Sequence, residues 1–314
     1  MIHSMKWPLL ITVIFVQQNT LPLPPTVVPN AQVVKLAQLT GAQTPFAEGT
    51  TTASNGDVYF TDQYNQRIYK WDVTQKMLSV FLEPSGRANG QYFDGKGNLL
   101  AAADERNQLW QITPDGKHTV IAAKFEEKYF NGPNDIWVRP DGGIYITDPY
   151  YRRTWWAEDP NHPETQPQDQ RAVYYITPGH ESIRRVAVDF MMPNGIIGTP
   201  DGKILYISDI DARLTYSYDV QADGSLTSRK AVASYGSDGM TIDERGNLYV
   251  TSGAGASGVT VVDTKTGMAI GFIPVPERPA NVAFGGRDRK TLYIAARTGF
   301  YSVDMNVRGA NPAK

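Results

Sequence analysis

Short apolar runs recur along the chain, and most are introduced by a turn that combines glycine with asparagine or aspartate. Between them lie alternating segments rich in β-branched and aromatic residues, such as 66–71 and 171–176, a pattern typical of strands. No stretch keeps apolar residues at i, i+3, i+4 and i+7 over three turns, so helices are not favoured. The six clearest runs are Val58–Phe60, Leu99–Ala101, Ile144–Ile146, Leu205–Ile207, Leu248–Val250 and Leu292–Ile294.

The spacing of these runs predicts the architecture. They begin at residues 58, 99, 144, 205, 248 and 292, close to the roughly 40 to 50 residues of a four-stranded propeller blade. We therefore expect residues 34–314 to form one all-β domain, a six-bladed β-propeller.

The longest interval between runs contains an insertion at residues 150–172, with Trp155 and Trp156 inside it. Insertions in repeat proteins map to loops on one face, often the binding face. Two interpretations stay open. The insertion forms a lid or rim over the channel mouth, or it packs its two tryptophans on its own blade.

An acid or an asparagine stands ten or eleven positions before each run. Because equivalent positions of a repeat occupy equivalent places in space, six oxygen-bearing side chains should converge on the propeller axis. Asn-Gly and Asp-Gly pairs are also common in turns, but six copies in register favour a site in the central channel. The six residues are Glu48, Asn89, Asn134, Asn194, Asp238 and Asn281.

Two carboxylates with several amide carbonyls make an oxygen-only donor set. Such a set suits Ca²⁺, which takes six to eight oxygen ligands in loose geometry, better than zinc, which prefers nitrogen or sulfur. Magnesium would keep more water than this many converging side chains allow. The sequence therefore predicts a metal site with Ca²⁺ as the first choice, and Mg²⁺, Mn²⁺ or Zn²⁺ as alternatives.

Composition narrows the class of partner. The chain carries 30 Lys and Arg against 32 Asp and Glu, a formal charge of −2, which argues against a broad nucleic-acid surface. Twenty-eight glycines and 21 prolines supply the turns, and the absence of cysteine excludes disulfides and thiol chemistry. No feature predicts an oligomeric state.

The N-terminus differs from the rest of the chain. Lys6 precedes the mostly apolar stretch 7–16, which is shorter than the roughly 20 residues of a membrane-spanning helix and resembles a secretory signal peptide. Residues 1–33 are predicted to be a signal and processing segment, with Ala31 as a small residue before the cut. Export to the periplasm or the exterior is expected, without an integral membrane domain. A buried or tethering segment is the alternative.

Four segments carry a family resemblance. They resemble the signature segments of the senescence-marker-protein/gluconolactonase family, the regucalcin-like lactonases, from about residue 40 to the end. The resemblance implies a six-bladed propeller with a divalent metal in its channel and an activity on sugar lactones. The segments are Phe46–Gly49, Asn131–Ile136 with its continuation 141–149, Pro193–Ile196 and Ser237–Met240.

The resemblance also implies roles for individual residues. Asp238 would act as the catalytic acid/base group, and Asn131 would contact the substrate. The remaining candidates for substrate binding are Asn89, Asn134 and Asn281. The implied metal ligands are Glu48, Asn134, Asn194 and Asp238.

Two departures from the family pattern leave the substrate open. An arginine that regucalcin-like members place two positions before the third-blade asparagine is here Gly132. The glutamate that they use eighteen positions after it is here Arg152.

Three functions are compatible with the sequence. The leading hypothesis is metal-dependent hydrolysis of a small lactone, in which the cation polarises the ester carbonyl and Asp238 takes a proton from water. An organophosphate-hydrolysing, phosphotriesterase-like enzyme is the second, because the diisopropylfluorophosphatases resemble this site. A non-enzymatic propeller that binds calcium or another ligand is the third. The four histidines are out of register with the axial residues, so no Ser-His-Asp arrangement competes.

Overall fold

The computed structural model describes residues 21–163, 165–252 and 256–310. In these ranges the chain forms six four-stranded antiparallel sheets arranged as the blades of a propeller, which confirms the predicted fold. Strands are numbered in chain order, starting from β1, Val34–Gln38. No helix in the described ranges is long and apolar enough to cross a membrane. The apolar stretch 7–16 lies outside the described residues, and export stays a prediction.

The first three blades are formed in chain order. The first contains β2 Ala47–Thr52, β3 Val58–Asp62, β4 Arg67–Asp72 and β5 Met77–Leu82. The second contains β6 Ala88–Phe93, β7 Leu99–Ala103, β8 Gln108–Ile112 and β9 His118–Ala122. A two-stranded ribbon follows, β10 Lys124–Phe125 and β11 Lys128–Tyr129. The third contains β12 Ile136–Val138, β13 Ile144–Asp148, β14 Ala172–Ile176 and β15 Ile183–Ala187.

The last three blades repeat this order. The fourth contains β16 Pro193–Gly198, β17 Ile204–Asp209, β18 Leu214–Val220 and β19 Leu226–Ala233. The fifth contains β20 Ser237–Ile242, β21 Asn247–Ser252, β22 Gly258–Asp263 and β23 Ala269–Pro274. The sixth contains β24 Pro279–Gly285, β25 Thr291–Ala296 and β26 Gly299–Asp304.

The two ends of the chain close the ring. Strand β1 pairs antiparallel with β26 and becomes the outer strand of the sixth blade. The segment before β1 continues this attachment, since Val28 N donates to Asp304 O at 3.1 Å and Phe272 N donates to Pro22 O at 2.9 Å. Residues 21–33, which the sequence assigned to a processing segment, therefore lie against the fifth and sixth blades. Cleavage in this region stays a prediction.

The predicted apolar runs form the second strand of each blade. Their side chains pack between neighbouring sheets, as where Phe60 of β3 stacks on Phe300 of β26 with ring centroids 4.2 Å apart. Tyr59, also on β3, meets Phe93 of β6 edge to face at 5.1 Å. Because both faces of these strands are covered by other blades, their runs are continuous rather than strictly alternating.

Close approach of the inner strands around the axis depends on glycine. In four blades the axial residue is followed by glycine, and a Cβ there would meet the axial residue of the next blade. From Gly49 it would lie 2.1 Å from Asn89 O, and from Gly90 it would lie 2.3 Å from Asn134 O. The other two glycines are Gly195, facing Asp238 O at 2.8 Å, and Gly239, facing the Asn281 side chain at 2.3 Å.

Replacing Gly90 by alanine should therefore destabilise the propeller. The glycine has an ordinary backbone conformation, so the penalty comes from the contact with the Asn134 carbonyl rather than from φ. Overpacking of this kind typically costs about 1–3 kcal/mol, to be measured by urea unfolding. Gly95→Ala is the matched control, since its Cβ would meet nothing within 4 Å. Equal stability of both variants would contradict the close-approach argument.

Candidate functional site

The inner strands of most blades are bulged at or beside the axial residues. In β2, β6, β16, β20 and β24 the register to the second strand shifts by one extra residue at or beside the axial position. Such β-bulges re-aim a side chain and interrupt pairing. In the third blade Asn134 lies just before β12 and is held by its backbone, with N donating to Thr147 O at 2.8 Å and O accepting from Gly90 N at 2.7 Å.

Two amide-to-carboxylate contacts organise the axial residues. Asn281 Nδ2 donates to Glu48 Oε1 at 2.9 Å, which joins the sixth blade to the first. Asn194 Nδ2 donates to Asp238 Oδ1 at 2.9 Å, which joins the fourth blade to the fifth. The two carboxylates of the predicted metal set are thus each fixed by one neighbouring amide.

Three axial oxygens are buried without a hydrogen-bond partner in the described chain: Glu48 Oε2, Asn89 Oδ1 and Asn194 Oδ1. A buried polar atom left unpaired costs about 1–3 kcal/mol, more if it is charged. Because these atoms are carboxylate and amide oxygens, they fit a hard cation such as Ca²⁺. In the described ranges, no group of three or more His, Asp or Glu side chains could hold a metal ion. A metal site among the axial residues would therefore have to use amide oxygens as well as carboxylates.

The carboxyl groups also lie in an unfavourable electrostatic environment. Burial, and then repulsion from Asp238, raise the pKa of Glu48 well above its ordinary value. Burial raises the pKa of Asp238 to about 6, against the opposing effects of Arg278, of the Asn194 hydrogen bond and of Arg153. A divalent cation between these groups would favour their charged forms.

Asp238 differs from its axial neighbours in exposure. The other five axial side chains are buried, whereas Asp238 is only partly buried. It is the axial carboxylate that a water molecule or a substrate reaches most directly.

The side chain of Asn131 connects two segments of the third blade. Its side chain is fully buried, with Nδ2 donating to Gln170 O and Oδ1 accepting from Gln168 N, both at 2.9 Å. Asp148 accepts from the backbone N–H groups of Asn131 and Gly132 at 2.9 Å each. Asn131 thus ties the start of the third blade to the end of the insertion, and its contact with substrate stays a prediction, as do those of Asn89, Asn134 and Asn281.

The insertion between β13 and β14 reaches the second blade. It contains a 3-10 helix, Thr154–Glu158, whose two buried tryptophans donate their indole N–H groups to the backbone carbonyl of Asp104, Trp155 at 3.2 Å and Trp156 at 2.7 Å. Arg153 Nε also binds Asp104 Oδ2 at 2.7 Å. The tryptophans therefore pack across a blade boundary, and not simply on their own blade.

Tyr151, on the same insertion, meets the axial site directly. Its hydroxyl accepts a hydrogen bond from Asn194 Nδ2 at 3.0 Å. The insertion thus forms part of the channel rim, in line with the first of its two interpretations. Sequence reasoning missed Tyr151, Arg153 and Asp104, because none of them repeats at blade spacing. The nearest indication in the sequence was Arg152, one residue from Tyr151, where the chain departs from the family pattern.

Comparison with known proteins decides the family. The family model described as SMP-30/Gluconolactonase/LRE-like region matches residues 46–298. The chain belongs to this family. The match spans the axial positions Glu48 to Asn281, so the family resemblance read from the four sequence segments is confirmed.

Members of this family with similar sequences carry lactonase names. A gluconolactonase of Zymomonas mobilis is 26% identical over 280 residues, covering 80% of this chain and 76% of that protein. A pentonolactonase of Haloferax volcanii is 30% identical over 252 residues, covering 77% of this chain and 78% of that protein.

Solved structures in the family support the fold. A gluconolactonase of Xanthomonas campestris has a TM-score of 0.78 at 24% identity, covering 91% of this chain and 97% of that one. A calcium-binding protein, regucalcin, of Agrobacterium tumefaciens has a TM-score of 0.70 at 18% identity, covering 93% of this chain and 98% of that one. At these identities the structures show the shared architecture alone.

The ion pair beneath the insertion gives a test of stability. Arg153 and Asp104 are 17% and 2% exposed in their side chains, so Arg153→Gln removes the charged partner of a buried carboxylate. Breaking a buried pair costs up to about 3–5 kcal/mol, although Gln63 Nε2 still donates to Asp104 Oδ2 at 3.0 Å. The matched control is Arg184→Gln, which breaks the exposed pair with Asp223 and should cost less than about 1 kcal/mol. Urea unfolding at pH 8 measures both.

The same variant should show a definite pH dependence. Burial raises the pKa of Asp104 to about 6, and Arg153 opposes that rise. Loss of Arg153 therefore makes the folded protein bind the Asp104 proton still more tightly. At pH 5 the carboxyl is protonated and the penalty of Arg153→Gln should shrink from its value at pH 8. A penalty that is constant between pH 5 and pH 8 would contradict this assignment.

Proposed function

We propose that the protein hydrolyses a small, sugar-derived lactone in its central channel with the help of a divalent cation, Ca²⁺ in the first place. Glu48, Asn134, Asn194 and Asp238 would hold the cation. The observation that carries the proposal is that two of these four, Glu48 through Oε2 and Asn194 through Oδ1, keep a buried oxygen without a partner in the described residues. The lactonase names of the relatives supply the reaction class.

The chemistry requires a water nucleophile and a proton acceptor. When bound, the cation would supply Lewis acidity, which stabilises negative charge on the lactone carbonyl oxygen. Asp238 Oδ1 is held by Asn194, so Oδ2 is the atom that accepts a proton as water attacks. The ring C–O bond then breaks, and the same proton passes to the departing oxygen, which gives a hydroxy acid.

The two alternative functions are less favoured. The relatives from Zymomonas mobilis and Haloferax volcanii are named for activity on lactones, not on organophosphates. The partial exposure of Asp238 gives a hydrolase a carboxylate that can exchange a proton with water, which a purely binding propeller would not require.

The decisive experiment is a hydrolysis screen of aldonolactones with metal-stripped protein, to which Ca²⁺, Mg²⁺, Mn²⁺ or Zn²⁺ is restored singly. We expect chelation to abolish turnover and Ca²⁺ to restore it. Glu48→Gln, which removes one of two carboxylates, should weaken Ca²⁺ binding in calorimetric titration and remove most activity. Full turnover by protein shown to be metal-free by elemental analysis would refute metal dependence. Turnover of an organophosphate but of no lactone would favour the phosphotriesterase-like alternative.

Asp238→Asn separates the proton acceptor from the metal ligand. Asparagine keeps an oxygen donor of the same size but cannot take a proton from water. At saturating Ca²⁺, kcat should still fall by at least about 10²-fold, and the acidic limb of the wild-type pH–rate profile should disappear. Recovery to near the wild-type rate in excess Ca²⁺ would show that Asp238 serves only as a ligand.

A further inference from the structure

The side-chain amide of Asn194 is oriented by two acceptors. An amide nitrogen carries two hydrogens, and here one is donated to Asp238 Oδ1 at 2.9 Å and the other to Tyr151 Oη at 3.0 Å. Rotating the amide by half a turn would place Oδ1 against the Asp238 carboxylate, which can only accept, whereas the Tyr151 hydroxyl could then donate to Oδ1 instead. The Asp238 contact therefore sets which way the amide faces, and the Tyr151 contact gives the amide a second anchor. Asn194 Oδ1 is left buried without a partner in the described chain.

These two acceptors are not equivalent. Asp238 is itself a member of the proposed metal set, so its carboxylate would be shared between the cation and the amide. Tyr151 comes from the insertion and has no place among the six axial residues.

The insertion is fastened well enough to hold Tyr151 in place. The Arg153 guanidinium lies 5.4 Å from the centre of the Tyr151 ring, within range of a cation–π contact. Arg153 is in turn fixed by Asp104, whose carbonyl also receives both indole N–H groups. A chain of contacts thus runs from the second blade through the insertion to the inner strand of the fourth.

We propose that Tyr151 is a positioning residue, which anchors the Asn194 amide in the orientation that Asp238 sets and so leaves Oδ1 to bind the cation, and that the third-blade insertion is thereby part of the metal site. This inference rests on the proposed function in so far as that function includes a bound divalent cation. It concerns affinity for the cation, and it does not require that the substrate be a lactone.

The test is a double-mutant cycle on the full chain, read out by calorimetric titration with Ca²⁺. Tyr151→Phe keeps the ring and removes only the acceptor. Loss of one neutral hydrogen bond corresponds to a roughly 2- to 12-fold weaker Kd, and saturating Ca²⁺ should restore kcat to within about 2-fold of wild type. The matched control is Tyr150→Phe, one residue earlier, which should leave the Kd unchanged.

The second arm of the cycle separates positioning from general support. In an Asn194→Ala background there is no amide to orient, so Tyr151→Phe should cause no further change in the Kd for Ca²⁺. An unchanged Kd for Tyr151→Phe alone, or an equal loss in both backgrounds, would overturn the inference. Thermal unfolding of each variant identifies any that fails to fold, and Tyr151→Trp then replaces Tyr151→Phe as the variant without the acceptor oxygen.

The outcomes also distinguish this inference from the proposed function. Coupling between Tyr151 and Asn194 in a protein that hydrolyses no lactone would leave the inference standing and refute lactone hydrolysis. Metal-dependent lactone turnover without coupling would do the reverse. A wild-type chain that binds none of the four cations would overturn both the metal role and this inference.

Discussion

Close contact between inner strands at the propeller axis governs the rest of this structure. Four axial residues are followed by glycine, and a Cβ at any of these glycines would fall within 2.1 to 2.8 Å of the next blade's axial residue. The strands can therefore converge until most of their polar side chains are buried together. Burial on this scale makes each polar atom costly unless it has a partner, and some axial oxygens have none within the described chain. The close packing of the inner strands is therefore also what buries the unpaired oxygens of the site.

The repeat explains why so much could be predicted from sequence. Six runs at blade spacing give six second strands, and a polar residue at a fixed offset from each run falls on the axis because the blades are equivalent. The same logic fails where the chain departs from the repeat. The contact between Arg153 and Asp104 joins residues 49 positions apart, and that between Asn194 and Tyr151 spans 43, with no period to indicate either. Asn131 belongs to a recognisable segment, but only the structure shows that its amide is used to brace the insertion.

One departure from the repeat lies at the boundary between the third and fourth blades. Where four blades have glycine after the axial residue, the third has Asp135, and its Oδ2 accepts from Ile196 N of β16 at 3.3 Å. The same inner strand is held from the third blade a second time, by Tyr151 at Asn194. At this boundary the inner strand of the fourth blade is therefore held by two hydrogen bonds, one to Asp135 and one to Tyr151. At four other boundaries a glycine lies against the next blade's axial residue.

The axial set is accordingly divided into two hydrogen-bonded groups. One runs from Tyr151 through Asn194 to Asp238, and the other runs from Asn281 to Glu48. The two groups meet as carboxylates, Asp238 and Glu48, whose mutual repulsion contributes to the raised pKa of Glu48. A positively charged ligand would relieve this repulsion and would pair with the oxygens that have no partner in the described chain, next to the one partly exposed axial carboxylate, Asp238.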